Sequence, residues 1–110
     1  MESCIFCKIV GKEIPTVFIL EDELAVSFKD IEPQAPLHLL VVPRQHVASL
    51  NEVRDERLLG HLLAFAYKTA AKAGLNQYRL VINTGRDAGQ AVFHLHLHIL
   101  GGRKLGWPPG

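Results

Sequence analysis

Apolar and polar positions alternate first with the period of strands. Val17-Phe18-Ile19-Leu20, Leu24-Ala25-Val26-Ser27-Phe28 and Leu37-His38-Leu39-Leu40-Val41-Val42 are short β-favouring runs. Polar residues 21–23 separate the first two, and residues 29–36 the next two, where Pro33 and Pro36 suit a connector and not a strand interior. The pattern predicts an antiparallel meander. Ahead of it, residues 4–15 read as a short helix with Gly11 and Pro15 as stop signals. From about Glu52 to Ala73 the period becomes helical: Leu59, Leu62, Leu63, Ala66, Tyr67 and Ala70 fall on one face, and the helix ends at Lys72 and Gly74. Two more strands, Tyr78 to Asn83 and Ala91 to Leu100, flank Thr84-Gly85-Arg86-Asp87-Ala88-Gly89-Gln90, a turn loop. The expected fold is α+β, about five antiparallel strands with one long and one short helix.

Composition narrows this picture. A chain of 110 residues holds one domain, expected to span 1–110. Lys and Arg number 12 against 11 Asp and Glu, with no run of like charge, which argues against a dedicated nucleic-acid or membrane surface. An anionic ligand must then be small and locally bound. The first residues carry an acid, Glu2, and no apolar stretch long enough for a signal peptide or membrane span, so the expected address is the cytosol. There, Cys4-x-x-Cys7 points to metal ligands or redox thiols before a structural disulfide. The redox alternative is the weaker, because the pair does not follow a strand of a βαβ unit.

Candidate chemistry concentrates in Phe93-His94-Leu95-His96-Leu97-His98-Ile99-Leu100. On a strand each two-residue step advances about 6.6 Å along one face. His94, His96 and His98 therefore share a face, while Leu95, Leu97 and Ile99 point to a core under the long helix. Three imidazoles can hold a catalytic zinc with an open position. Equally, one can attack an electrophile such as phosphorus while its neighbours fix its tautomer and bind developing charge. Gly85, Gly89 and Gln90 just upstream, with Asn83, offer backbone and amide donors for an oxyanion. His61, on the long helix, reads as a surface or interface residue.

This histidine pattern after Gly89-Gln90, the upstream stretch from Asp30 to His46, and the terminal Gly106-Trp107-Pro108-Pro109-Gly110 resemble the histidine triad (HIT) family across essentially the whole chain. The likeness is closest to its Hint branch, the purine nucleoside phosphoramidases; the tail disfavours the branch that hydrolyses dinucleoside polyphosphates. The resemblance implies that His96 is a nucleophile that takes a nucleoside monophosphate from its leaving group and yields it to water. His94 and His98 would flank it, supported by His38. It also implies Asp30 on the ribose hydroxyls, loop residues Asn83, Gly89, Gln90, Ala91 and Val92 at the phosphate, and Phe6, Ile9, Ile14, Phe28, Ile31 and Leu40 around the base. Each of those apolar positions equally suits core packing. A rival class is a nucleotide-binding or zinc-dependent interaction protein with little turnover.

Two further expectations follow from the resemblance. Some relatives bind structural zinc through a Cys-x-x-Cys pair and two histidines, and the matching set here is Cys4, Cys7, His46 and His94. A homodimer with a continuous sheet is expected, its proline-stiffened tail carrying Trp107 toward the partner's site. An exposed sheet edge and the apolar width of the long helix, Leu58, Leu59, Leu62 and Leu63, also favour that dimer. One departure stands out: Ala91 occupies a place where many Hint-like proteins carry a hydroxyl residue, which leaves protonation of the leaving group without a side-chain donor.

Overall fold

Alternation along the strands gives one sheet two different apolar faces, each covered by its own helix. The structure, a computed structural model, describes residues 3–110; Met1 and Glu2, the acid noted above, lie outside them. The elements are α1 (Ile5–Val10), β1 (Leu20–Glu21), β2 (Ala25–Lys29), β3 (Leu37–Pro43), α2 (Glu56–Lys72), β4 (Tyr78–Val81) and β5 (Leu97–Gly101). Short helical turns at Leu50–Glu52 and Arg86–Ala88 complete the set.

The five strands are antiparallel throughout, as expected, but their order is β1-β2-β3-β5-β4 and not a simple meander. After β3, α2 carries the chain across the sheet and leaves room for one strand, which β5 fills on its return. β5 thus pairs with β3 on one side and β4 on the other. Its register sets Leu40 opposite His98 and Val41 opposite Leu97. Phe28 stands opposite Leu40 in turn, so Phe28, Leu40 and His98 form a row across three strands.

Three predicted strands are shorter than the alternation suggested, β4 among them, which stops at Val81 and not at Asn83. β1 keeps only Leu20 and Glu21, while Val17 is left 88% exposed. β5 starts at Leu97 and not at Ala91. Pro43, which continued register would set opposite Leu95, has no N–H to offer, and Leu95 N–H turns instead to the carbonyl of Val47 at 2.7 Å. His94 and His96 therefore lie just outside the ladder although the alternation of their side chains persists.

The long helix starts four residues later than expected, capped by Asp55, whose carboxylate accepts Arg57 N–H at 2.9 Å. It ends where Gly74 adopts φ +82°, the left-handed conformation that glycine takes without strain. Its buried face is Leu58, Leu62, Phe65, Ala66, Thr69 and Ala70, rotated from the expected one, and Leu63 and Tyr67 stand about half exposed. The rotation is fixed by a buried polar pair: the Thr69 hydroxyl donates to Ser27 Oγ of β2 at 2.9 Å. This face meets Leu39, Val41, Leu95, Leu97 and Ile99 in the larger core. On the opposite face, α1 lays Phe6 and Ile9 over Val26, Phe28, Leu40 and Val42. His61, read as a surface residue, bonds Asp22 Oδ2 at 2.7 Å and ties α2 to the β1–β2 turn.

Candidate active site and metal centre

The smaller core ends at the histidines, and the hydrogen bonds around them fix each tautomer. His94 is fully buried and its Nε2 donates to the Pro43 carbonyl at 2.8 Å, so its Nδ1 keeps a lone pair. His96 Nδ1 donates to the carbonyl of His94 at 2.7 Å, which leaves His96 Nε2 unprotonated. His38 Nδ1 accepts the N–H of Gln34 at 2.9 Å, so its proton sits on Nε2 and is donated to His98 Nδ1, also at 2.9 Å. His98 then carries its proton on Nε2. That atom is the one buried side-chain polar atom among the described residues with no partner. The ring centres of His96 and His98 are 4.9 Å apart, so a ring with a bare nitrogen neighbours one with an unsatisfied N–H donor.

Burial favours the neutral form of the three triad rings. Burial, then the neighbouring His96 and His38, lower the His98 pKa to about 4. Burial likewise lowers His96 and His94 below the ordinary imidazole value. A neutral His96 is what an attacking nitrogen requires. Phe6 packs against His96, the two rings T-shaped with centres 5.0 Å apart.

The loop before the triad is a cradle, but not with the donors expected from sequence. Gly89 N–H bonds Arg86 O, Gln90 N–H bonds Gly85 O, and Gly85 N–H bonds the Gln90 side-chain oxygen. The Gln90 amide nitrogen is spent on the carbonyls of Ala48 (2.7 Å) and Val92 (3.1 Å). Gln90 is thus a buried clamp, not a free donor. Among the described residues, the backbone N–H groups of Ala91 and Val92, one and two residues downstream, donate no hydrogen bond. Asn83 does stand at the loop, its amide 3.5 Å from where a Cβ on Gly89 would lie, and Gly89 takes φ +104°.

Asp30 closes the other end. Its Oδ1 accepts Glu32 N–H at 2.8 Å and its Oδ2 lies 3.4 Å from His38 Nε2, so it joins the histidine network directly. Of the expected base-wall residues, Phe6, Ile9, Phe28 and Leu40 are buried core, and Ile9 together with Ile14 lines a cavity of about 460 Å³ beside α1. Ile31 is 89% exposed, so core packing does not account for it. Trp107 is not brought to the triad within the chain. It lies 80% exposed beside Arg79 of the edge strand β4, whose guanidinium sits 5.7 Å from the ring centre and donates to Gly106 O.

Behind His94 the expected metal ligands converge. Cys4, Cys7, His46 and His94 present their ligand atoms within 4.8 Å of one another. The Nδ1 of His94 lies 3.3 Å from Cys4 Sγ, 3.6 Å from Cys7 Sγ and 3.1 Å from His46 Nδ1; Cys7 Sγ is 3.3 Å from His46 Nδ1. Tetrahedral zinc with ordinary Zn–S and Zn–N bonds needs ligand–ligand edges of about 3.3–3.8 Å; three of these four edges fall in that range and the His46–His94 edge is about 0.2 Å short of it, so the donor set fits zinc with a small adjustment. Burial and the adjacent Cys4 raise the Cys7 thiol pKa, the behaviour of paired thiols without a cation between them. The α1 N-terminus builds this pair, since Cys4 caps the helix by accepting Cys7 N–H at 3.3 Å.

Sequence reasoning missed the main-chain carbonyls of Pro43 and His94 and the N–H of Gln34. These set all the tautomers, and main-chain groups leave no signature in residue type.

Comparison with known proteins agrees with this geometry. Residues 11–105 match the HIT domain. An uncharacterized HIT-like protein of Synechocystis sp. is 52% identical over 112 residues, covering 99% of this chain and 98% of that protein. A HIT family hydrolase from Legionella pneumophila superposes with TM-score 0.93 at 48% identity, covering 98% of this chain and 100% of that one. A histidine triad protein from Clostridium difficile gives 0.91 at 41%, covering 96% of each chain. With its histidines on one face of the HIT sheet and the family's domain spanning nearly its whole length, this chain belongs to the HIT domain family.

Proposed function

We propose that the protein is a nucleotidyl hydrolase that cleaves the P–N bond of purine nucleoside 5′-phosphoramidates, and related adenylates, through a nucleotidyl-histidine intermediate. One observation carries the reading: the ring of His96, whose Nε2 is unprotonated, packs 4.9 Å centre to centre from the ring of His98, whose buried Nε2–H has no partner. A nucleophile and an oxyanion donor side by side suit displacement at phosphorus. His96 Nε2 forms a bond to phosphorus as the P–N bond breaks, and the departing amine takes up a proton. Water then cleaves the Nε2–P bond, gives up a proton, and releases the nucleoside monophosphate. His98 and the N–H groups of Ala91 and Val92 bind the phosphoryl oxygens. Asp30 accepts from the ribose hydroxyls, and the cavity walled by Ile9 and Ile14 takes the base.

The Hint-like resemblance and the fit of Cys4, Cys7, His46 and His94 support a structural zinc, which when bound staples the N-terminus of α1 to the triad. A homodimer is part of the same reading. It is supported by the unpaired edge of β4, by half-exposed Leu63 and Tyr67 on α2, and by Trp107 at the β4 edge, away from its own triad. Ala91 favours a second reading, a nucleotide-binding protein with slow turnover, because it offers no hydroxyl to protonate the amine. Turnover of adenosine 5′-phosphoramidate by wild type and by His96→Ala decides between them. The enzyme reading expects turnover that falls by orders of magnitude in the variant while nucleotide affinity changes far less. Near-equal turnover by the two proteins, or none by either, refutes it.

A further inference from the structure

The segment that carries the nucleophile is not held by the sheet. β5 begins at Leu97, and residues 94–96 are fixed by contacts outside any ladder. Leu95 N–H bonds Val47 O, His94 Nε2–H bonds Pro43 O, and His94 Nδ1 faces Cys4, Cys7 and His46. His94 in turn presents the carbonyl that takes the Nδ1 proton of His96. One peptide unit therefore has its side chain in the metal cluster and its oxygen on the nucleophile. A neutral imidazole has two tautomers, and only the one with its proton on Nδ1 leaves Nε2 free to attack.

We propose that Cys4, Cys7 and His46 are positioning residues for catalysis, acting on His96 through the metal-held His94 peptide. Occupancy of the cluster sets the fraction of protein whose His96 is in the reactive tautomer. The effect is geometric: two thiolates cancel the charge of a divalent ion, so loading adds no net charge beside the triad. A groove of about 410 Å³ lined by Cys4, His46, Ala91 and Val92 gives solvent a route to the cluster. The functional consequence rests on the nucleotidyl-transfer reading; the tautomer consequence does not.

The test uses the full chain loaded with cobalt(II), whose thiolate absorption reports occupancy independently of activity. It is compared with the chelator-stripped protein and with Cys7→Ser. Long-range ¹⁵N–¹H spectra of the diamagnetic zinc-loaded and of the stripped protein, at a pH where the imidazoles are neutral, read the His96 tautomer. We expect a single Nδ1–H form when loaded and a mixture when stripped. With adenosine phosphoramidate, kcat should fall about 10- to 100-fold on stripping and return on reloading. The Kd for the nucleoside monophosphate should stay within about threefold. A stripped protein that keeps one Nδ1–H tautomer, or that keeps its kcat, overturns the proposal. So does a Kd that rises in step with the loss of kcat, the mark of a general structural role, and so does failure to bind cobalt. If Cys7→Ser does not fold, the stripped wild type decides. If the loaded protein hydrolyses no phosphoramidate, the function reading fails and the tautomer spectra alone judge the positioning claim.

Discussion

Replacing Gln90 by Ala separates a clamp from an oxyanion donor. The Gln90 side chain is 3% exposed and makes three hydrogen bonds, accepting from Gly85 N–H and donating to the carbonyls of Ala48 and Val92. Each is worth roughly 0.5–1.5 kcal/mol net, and the lost methylene adds roughly 0.8 kcal/mol of burial. Water entering the loop recovers part of this, so about 3 kcal/mol of folding stability should be lost. With a urea slope near 1.5 kcal/mol/M, the unfolding midpoint should fall by about 2 M. Turnover should fall too, because Val92, whose carbonyl Gln90 holds, presents one of the open N–H groups of the cradle. Urea unfolding and steady-state turnover on the same preparation are the assays. A variant that keeps its midpoint within about 0.5 M while losing most of its turnover would refute the clamp and restore Gln90 as a direct ligand of the phosphate.

Acid should destabilise the fold in a defined window. The folded pKa of His98, about 4, lies below the ordinary imidazole value, so the unfolded chain takes up the proton first. Its contribution is complete above about pH 6.5 and is lost as pH falls toward 4, and His98→Gln should flatten the urea midpoint's dependence on pH in that range. An unchanged slope would contradict the assignment. Protein purified without chelator should carry about one zinc per chain and lose thermal stability when stripped; zinc well below one equivalent, with no thermal shift on adding it, would exclude the site. Light scattering should report a dimer at micromolar concentration. Deleting residues 105–110 should reorder preference among leaving groups while costing less than about 1 kcal/mol of stability, since Trp107 is mostly exposed. An unchanged ranking would remove the tail from the site.

Much of the fold was legible because burial on one sheet face imposes a period. The β2 and β3 runs, the β4–β5 loop and α2 all follow from it. The strand order did not, since nothing in β5 states which neighbours it will find; the α2 crossover decides that. The face of α2 was misjudged because Leu58 and Leu59, like Leu62 and Leu63, stand side by side and make the apolar stripe broad. The helix settled on the side that buries Thr69, a polar residue that apolar periodicity discounts. At the site, spacing alone picks out the triad His94, His96 and His98 and the Cys4–Cys7 pair, while His38, Asp30 and His46 come from the family resemblance; the structure brings His38, His96 and His98 together with Asp30, and Cys4, Cys7 and His46 together with His94. The role of Gln90 was hidden, because an amide reads as a donor in sequence whether it faces a ligand or its own loop. The alternation before Leu97 reads as strand but forms none, because side chains can alternate without a ladder.

The central claim is that phosphorus passes through His96. Stereochemistry at phosphorus tests this whether or not the intermediate accumulates. A phosphoramidate with sulfur replacing one phosphoryl oxygen, of one configuration at phosphorus, is hydrolysed in isotopically labelled water, and the configuration of the labelled product is read. Two successive in-line displacements, first by His96 Nε2 and then by water, predict net retention. Net inversion would mean that water attacks directly, and His96 would then not be the nucleophile.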